Sequence, residues 1–357
     1  SEMCIRDRDQ APPELMHKRL EGTLEESFGA VMHTEHNYLA ISGGGANGAY
    51  GAGVLVGWSK QGTRPEFTMV TGISTGALTA PFAFLGSAYD RQLEEVYTTM
   101  DSSSIFLRRG LLSVIGGDSL VDSAPLAKVI DKYLTDEVVA EIAREYRRGR
   151  SLFIGTTNLD AGRPVIWNIG RIADSGDPAA GNLIRNIMRA SASIPGVFPP
   201  VYIKVAGPDG RVYEEMHVDG GTSSQIFLYP PRTNWRELME RLEVQGTPNA
   251  YLIRNSRFRP RYEPVEPRLG AIAGRSVDSL IRTQGIGDTY RIGALAKRDG
   301  IDIIITWIPG DSVEETSDEV FDPVYMRKLF DYGYHRVLSG DAWQLLDLER
   351  NEVLKAR

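Results

Sequence analysis

The stretch that decides the fold is FTMVTGISTGALTAPFAFL, residues 67–85, in which a glycine-flanked serine separates two apolar segments. Its first six residues predict a β-strand, and its last nine predict an apolar helix. Ser74 lies between them, with Gly72 and Gly76 on either side. A serine on so tight a strand-to-helix turn needs a strained backbone, which is possible only if these flanking positions lack side chains. The stretch therefore predicts a nucleophilic serine on an α/β scaffold.

A second glycine-rich turn lies upstream of this serine. Residues 38–42 predict a short strand, the glycines Gly43, Gly44 and Gly45 follow it, and the small residues of 49–60 predict a helix. Successive glycine N–H groups can hydrogen-bond the negative oxygen of a tetrahedral acyl intermediate, at about 3–4 kcal/mol per donor. The helix after Ser74 would point its positive dipole end at the same charge. The two turns together predict an oxyanion hole.

The same glycines also fit a dinucleotide-binding fingerprint. Gly43, Gly45 and Gly48 match the spacing G-x-G-x-x-G between a strand and a helix. A nucleotide-binding fold of this kind should carry an acidic residue at the end of the next strand, to hold the ribose. Here Glu66 precedes that strand and Gly72 ends it. The missing acid argues against a dinucleotide site.

A nucleophilic serine needs a base, and histidine is the usual one. The chain has five histidines, at positions 17, 33, 36, 217 and 335. An aspartate offers an alternative, because Asp219 follows a predicted strand at 212–218 and precedes Gly220 and Gly221, where it could approach Ser74 directly. A carboxylate can act as a base when burial raises its pKa. His217 shares a strand face with Asp219.

The rest of the chain alternates between helical and strand patterns. Helices are predicted at 11–34, 90–100, 124–133, 136–147, 182–193, 269–298, 323–338 and 341–355, and strands at 152–157, 164–169, 250–254 and 301–307. Strands interleaved with helices predict a layered α/β fold with a mostly parallel sheet. The patterns do not decide whether 269–298 forms a lid, an interface or part of the core.

Composition excludes several classes of protein. With 42% hydrophobic and 24% charged residues the chain is globular, and its net charge of −7 does not suit a nucleic-acid-binding protein. Cys4 is the sole cysteine, so no intrachain disulfide is expected. The longest weakly polar run, 77–88, is shorter than the roughly 18 residues of a membrane span. Residues 1–10 lack the apolar core of a signal peptide. We therefore expect a soluble or membrane-peripheral protein, and the sequence does not decide its compartment.

Arginine dominates the basic residues and forms two clusters, within 147–150 and 254–261. Arginine suits phosphates and carboxylates, but ordinary ion pairing with the 47 acidic residues is the simpler interpretation of both clusters.

Three segments, 43–48, 72–76 and 219–221, occur in an order that strongly resembles the patatin-like phospholipases, which use a Ser–Asp dyad instead of a triad. Residues 190–200 are similar to that family's helix-to-loop block, so the resemblance covers 38–225. It implies a three-layer α/β/α fold. The chain would then comprise an N-terminal tail and outer helix (1–37), a catalytic core (38–228) and a C-terminal α/β extension packed into the same unit (229–357).

Residue by residue, the resemblance implies that Ser74 is the nucleophile and Asp219 the base. It assigns Gly43, Gly44, Gly45 and the N–H of Thr75 to the oxyanion hole, and Gly48, Gly72, Gly76, Gly220 and Gly221 to the motifs. The expected substrate is a lipid or small acyl ester, met at a membrane surface, with no metal, cofactor or nucleic acid involved. The polar Ser42 and Asn47 beside the glycines depart from some relatives, so the resemblance implies the dyad but not the substrate preference.

Two other hypotheses remain open at this stage. One is an α/β-hydrolase in which Ser74, an acid and His335 form a triad, since that chain order is the correct one. The other is a catalytically silent lipid-binding protein that retains the turn for structural reasons.

Overall fold

A computed structural model describes residues 27–105, 107–108, 121–207, 210–260, 262, 264–310, 312–314 and 321–346. Its strands are β1 (Glu35–Ile41), β2 (Met69–Ile73), β3 (Leu107–Arg108), β4 (Val121–Asp122), β5 (Ser151–Asn158), β6 (Arg163–Asn168), β7 (Val201–Ala206), β8 (Val212–Asp219), β9 (Gln245–Arg254), β10 (Asp302–Trp307) and β11 (Gln344–Leu345). Its helices are α1 (Gly48–Gln61), α2 (Thr75–Leu85), α3 (Asp90–Thr99), α4 (Ser102–Ile105), α5 (Ala124–Tyr133), α6 (Asp136–Arg147), α7 (Ile169–Ala173), α8 (Ala180–Ser191), α9 (Trp235–Arg241), α10 (Leu269–Asp299) and α11 (Pro323–Leu338).

One large mixed sheet organises the described residues, in the order β11-β10-β9-β1-β2-β5-β8-β7, with β6 paired to β5 as well. The five central strands, from β10 to β5, run parallel, while β6, β7, β8 and β11 pair antiparallel with their neighbours. The predicted parallel sheet is therefore confirmed for the centre and becomes antiparallel towards its edges. In such a sheet the functional groups gather at the carboxyl ends of the parallel strands.

Helices cover both faces of the sheet, which confirms the three layers. Successive residues of β1 contribute to two separate apolar clusters, because side chains alternate across a strand. Leu39 and Ile41 belong to a cluster that includes residues of α1, α2 and α11. Tyr38 and Ala40 belong to a cluster formed with residues of α9 and α10. The nearly continuous apolar character of β1 follows from burial on both faces.

Most predicted elements are present within a few residues, but one predicted helix is wrong in its described part and one strand of the large sheet was not predicted. The helix predicted at 341–355 is wrong for its described part, because Gln344 and Leu345 form β11 against β10; its remainder lies outside the described residues. The outer helix at 11–34 falls largely outside them too; in its described part residues 27–28 are helical, a 3-10 turn follows at Gly29–Val31, and β1 begins at Glu35. Strand β7 was not predicted, although its inward residues are buried and its outward ones exposed.

Within the described residues, the helices are too short or too polar to cross a lipid bilayer.

Candidate active site

The turn at Ser74 has the strained geometry that the sequence predicts. Ser74 has φ 55° and ψ −126°, between the end of β2 and the start of α2. A positive φ is rare for a residue with a side chain and is maintained only where the surroundings impose it. The surroundings do so here, because a Cβ on Gly72 would overlap the carbonyl group of Gly76, and one on Gly76 would overlap that of Ile41. The two glycines let strand and helix approach closely enough to hold the serine in place.

Asp219 reaches the same place from the opposite direction. Strand β6 occupies one edge of β5, so β2 and β8 share the other edge. The last residue of β2, Ile73, pairs with Gly155, and the last residue of β8, Asp219, pairs with the next residue, Thr156. Because β8 runs antiparallel to β5, the carboxyl ends of β2 and β8 face each other. Ser74 and Asp219 are therefore brought together by backbone pairing to adjacent residues of a third strand.

The Asp219 carboxylate is buried, and its pKa is raised. Burial raises the pKa of Asp219 to about 6, against hydrogen bonds from the Ser74 side chain and the Gly221 N–H, which lower it. The Gly221 N–H donates to Oδ1 of Asp219 at 2.7 Å, which leaves the second carboxylate oxygen available to the serine. At neutral pH the group is ionised yet close to its pKa, as a general base should be.

The ring of the neighbouring His217 contacts polar side chains other than that of Ser74. Its ring is fully buried; Nδ1 lies 3.0 Å from the Thr156 hydroxyl and Nε2 lies 3.3 Å from the Glu215 carboxylate. Both ring nitrogens thus have partners on β5 and β8. His217 contributes to the packing of β8 and is not placed as a base for the serine.

The glycine loop lies against the serine, but the N–H of its first glycine already has a hydrogen-bond acceptor. A Cβ on Gly43 would lie 3.2 Å from the Cβ of Ser74, so this glycine allows the close approach. Its own N–H, however, donates to the Gln225 carbonyl at 3.1 Å. The prediction that Gly43 supplies an oxyanion donor therefore needs correction. Among the described hydrogen bonds, none uses the N–H groups of Gly44, Gly45 or Thr75.

One residue that the sequence analysis did not identify, Asn255, holds this loop. Asn255, just after β9, receives a hydrogen bond on its Oδ1 from the Gly51 N–H and donates from Nδ2 to the Ser42 carbonyl, both at 3.0 Å. Its own N–H donates to the Ser42 hydroxyl at 2.8 Å. The backbone of Gly44, at φ 155°, packs directly on Asn255, where any Cβ would clash. Only the long-range pairing of β9 with β1 brings this asparagine to the loop.

Residues at the C-terminal end of helix α8 accept hydrogen bonds from the backbone N–H groups of both candidate catalytic residues. The Ser191 hydroxyl accepts a hydrogen bond from the Ser74 N–H at 3.0 Å and donates to the Gly155 carbonyl at 2.7 Å. Two residues later, the Ser193 carbonyl accepts from the Asp219 N–H at 2.8 Å. The sequence analysis singled out residues 190–200 only by their resemblance to the family's helix-to-loop block. The hydrogen bonds of Ser191 and Ser193 to the backbone of Ser74 and Asp219 are seen only in the structure.

His335 is placed away from this site. It is exposed on α11, against the ring of Tyr334 at 5.3 Å, and the Tyr334 backbone contacts Gly57 of α1. Ser74 is at the other end of α1, where Gly48 contacts the Thr75 side chain. Nine residues of helix separate these contacts, which is about 13 Å. The arrangement does not support a triad that uses His335.

The described residues contain no group of three His, Cys, Asp or Glu side chains arranged to hold a metal ion.

Comparison with known proteins gives one match to a family model and one to a solved structure. The model of a family described as patatin-like phospholipase matches residues 39–230. No curated protein matches the sequence. Among solved structures, VipD from Legionella pneumophila aligns with a TM-score of 0.43 at 12% sequence identity, covering 88% of this chain and 68% of VipD.

Proposed function

The chain belongs to the patatin-like phospholipase family, whose members are lipid acyl hydrolases, and from this premise we propose that it hydrolyses lipid carboxylic esters through a Ser74–Asp219 dyad. The observation that carries the proposal is the meeting of a serine at φ 55° with a buried carboxylate whose pKa is raised to about 6. A strained turn and a shifted pKa at one place are typical of a catalytic site.

Acylation begins with proton transfer. The Asp219 carboxylate takes the proton of the Ser74 hydroxyl as the serine Oγ attacks the ester carbonyl carbon. A C–O bond forms to Oγ, and the carbonyl oxygen becomes an oxyanion. When the tetrahedral intermediate collapses, the bond to the leaving alcohol breaks and the protonated Asp219 returns its proton to the alkoxide. The acyl group is then held as an ester of Ser74.

Deacylation reverses these roles with water in place of the alcohol. Asp219 accepts a proton from a water molecule that attacks the acyl-serine carbonyl carbon. Collapse of the second intermediate breaks the bond to Oγ, and the proton on Asp219 restores the Ser74 hydroxyl. The fatty acid leaves, and neither a metal nor a cofactor takes part.

The oxyanion would be held by backbone donors on both sides of the serine. Gly44 and Gly45 supply N–H groups from the glycine loop, and Thr75 supplies the first N–H of α2, where the helix dipole favours negative charge. Such donors are rigid, because Asn255 fixes the loop and Ser191 fixes the turn. Preorganised donors of this kind contribute about 3–4 kcal/mol each to transition-state stabilisation.

Labelling with a fluorophosphonate, followed by mass spectrometry of the labelled peptide, tests the proposal. We expect covalent labelling of Ser74 in the native chain, none in Ser74→Ala, and strongly reduced labelling in Asp219→Asn. The variant His335→Ala should label like the native chain.

The alternatives predict different results in the same experiment. A triad that uses His335 requires His335→Ala to lose labelling while an Asp219 variant retains some. A catalytically silent lipid-binding protein requires that Ser74 stay unlabelled in protein that circular dichroism shows to be folded.

A further inference from the structure

Helix α10 has two halves of different character. In its second half, Gly285, Asp288, Ile292 and Ala296 are among the buried residues that pack against the sheet. In its first half, residues 269–284, no residue is fully buried and most are exposed. A helix of 31 residues is about 46 Å long, so its first half accounts for about 24 Å. That half stands away from the rest of the described chain.

The exposed half lies at the catalytic end of the molecule. Helix α10 ends at Asp299 and is followed at once by β10, which runs parallel to the central strands. The helix therefore runs antiparallel to them, from their carboxyl ends to their amino ends. It reaches the carboxyl edge at Gly285, which packs between Arg254 at the end of β9 and Gln225 beside the glycine loop. Residues 269–284 thus project beyond the edge that carries Ser74 and Asp219.

The projecting half exposes large apolar side chains. The exposed fraction is 86% for Leu269, 50% for Ile272, 52% for Val277 and 70% for Leu280. At 100° per residue, all four fall on one half of the helix circumference. The residues with which the second half packs on the sheet fall mainly on the other half. The apolar face is therefore turned away from the protein body. Tyr262, just before the helix, is 92% exposed.

The same region is basic in an otherwise acidic chain. Residues 257–282, which precede and include most of the exposed half, contain six arginines and three acids, whereas the whole chain has a net charge of −7. Exposed apolar side chains on a helix, combined with flanking arginines, characterise helices that lie in the interface of a membrane. The basic side chains contribute attraction to anionic headgroups.

We propose that the face formed by Leu269, Ile272, Val277 and Leu280, with Tyr262, docks on a bilayer surface that contains anionic phospholipid. The inference rests on the proposed function, because it names where the dyad meets its substrate. Docking through residues 269–284, which extend from the carboxyl edge of the sheet, would bring that edge near the lipid surface. A second copy of the chain suits this face less well, because an isologous contact would bring two basic regions together.

The test is binding to vesicles, with the hydrolysis of a water-soluble ester as a separate readout. Flotation with vesicles of phosphatidylcholine and phosphatidylglycerol, and with vesicles of phosphatidylcholine alone, is measured for the native chain and for the double variant Leu269→Ser/Leu280→Ser. The matched control is Leu345→Ser, because Leu345 is 65% exposed on β11 and outside the proposed face. Ser74→Ala is included so that binding is measured without turnover.

We expect the native chain and Ser74→Ala to float with the anionic vesicles, and less so at high salt, because salt screens the attraction. The double variant should bind about tenfold or more weakly, since each buried leucine contributes substantially to partitioning. Its ratio of vesicle-lipid hydrolysis to soluble-ester hydrolysis should fall by a similar factor. Leu345→Ser should behave as the native chain does.

Two outcomes would overturn the inference. One is equal vesicle binding by the native chain and the double variant. The other is a change from dimer to monomer in the double variant, measured by analytical ultracentrifugation without lipid, which would assign the face to a second copy. Failure of the proposed function has a different signature: no Ser74-dependent hydrolysis of the soluble ester, whatever the vesicle binding.

Discussion

Replacing Asp219 with asparagine should remove activity and, at neutral pH, stabilise the fold. Burial raises the pKa of Asp219 from an unfolded value near 3.9 to about 6. The folded state therefore binds the proton more tightly than the unfolded state does. The stability that this contributes is present in acid and lost as the pH rises through about 6. At pH 7 the native chain thus keeps a buried charge that the asparagine variant does not have.

The magnitude follows from the difference between the two pKa values. The two pKa values differ by about two units, and at 1.36 kcal/mol per unit the charged carboxylate lowers the free energy of unfolding by about 3 kcal/mol at pH 7. The pKa of about 6 already includes the weaker hydrogen bonds of the neutral form, and the asparagine oxygen still accepts from the Gly221 N–H. We therefore expect Asp219→Asn to increase the free energy of unfolding by about 3 kcal/mol at pH 7. At pH 4 most of this gain should disappear.

Urea unfolding followed by circular dichroism at pH 7 and at pH 4 measures both values. Asp302→Asn is the control, because Asp302 is exposed at the start of β10, and it should leave the pH dependence of stability unchanged. The reasoning is refuted if Asp219→Asn destabilises the chain equally at both pH values. That result would mean that the carboxylate is a structural anchor and carries no electrostatic penalty from burial.

Three further predictions concern the same site. The value of kcat/KM for a soluble ester should rise about tenfold per pH unit below pH 6 and level off above it, because Asp219 must be ionised to act as the base. A pH profile that is flat from pH 5 to 8 would contradict this prediction. Ser191→Ala should lower kcat by about 10–100-fold in steady-state assays, because the Ser74 N–H and the Gly155 carbonyl lose their hydrogen bonds to the Ser191 hydroxyl and the turn loosens. An unchanged kcat would show that Ser191 does not position Ser74. Gly76→Ala should lower the free energy of unfolding, measured with urea, by about 3 kcal/mol or more, since the new Cβ would overlap the Ile41 carbonyl. A decrease below about 1 kcal/mol would show that β1 can move to make room for the methyl group.

The parts of the site that depend on local backbone geometry could be predicted from the sequence. The turn at Ser74 needs glycines at fixed positions, and the structure has them where close approach requires them. The strands β1, β2 and β5 and most long helices carry unambiguous patterns. These features are encoded within a window of a few residues, which is why one sequence suffices to identify them.

The parts that depend on long-range pairing could not be predicted. The engagement of the Gly43 N–H arises because residue 225 is brought beside it, and no local pattern reports that contact. The clamp by Asn255 and the brace by Ser191 likewise require the packing of distant segments. The helix predicted at 341–355 fails because an apolar-periodic pattern was outweighed at its start by pairing with an open sheet edge, a context that propensity does not contain.

The shared edge of β5 also determines which changes in chain length the dyad can tolerate. Ser74 and Asp219 are set by neighbouring positions on that strand, so the lengths of the connections before and after β5 do not enter the distance between them. Extra residues between α2 and β5 would leave the two side chains in contact. One residue inserted between Gly155 and Thr156 would separate them by a full strand step of about 3.3 Å and reverse the face on which one of them lies. Loop insertions should therefore be tolerated in laboratory evolution of this chain, and single insertions in the middle of β5 should not.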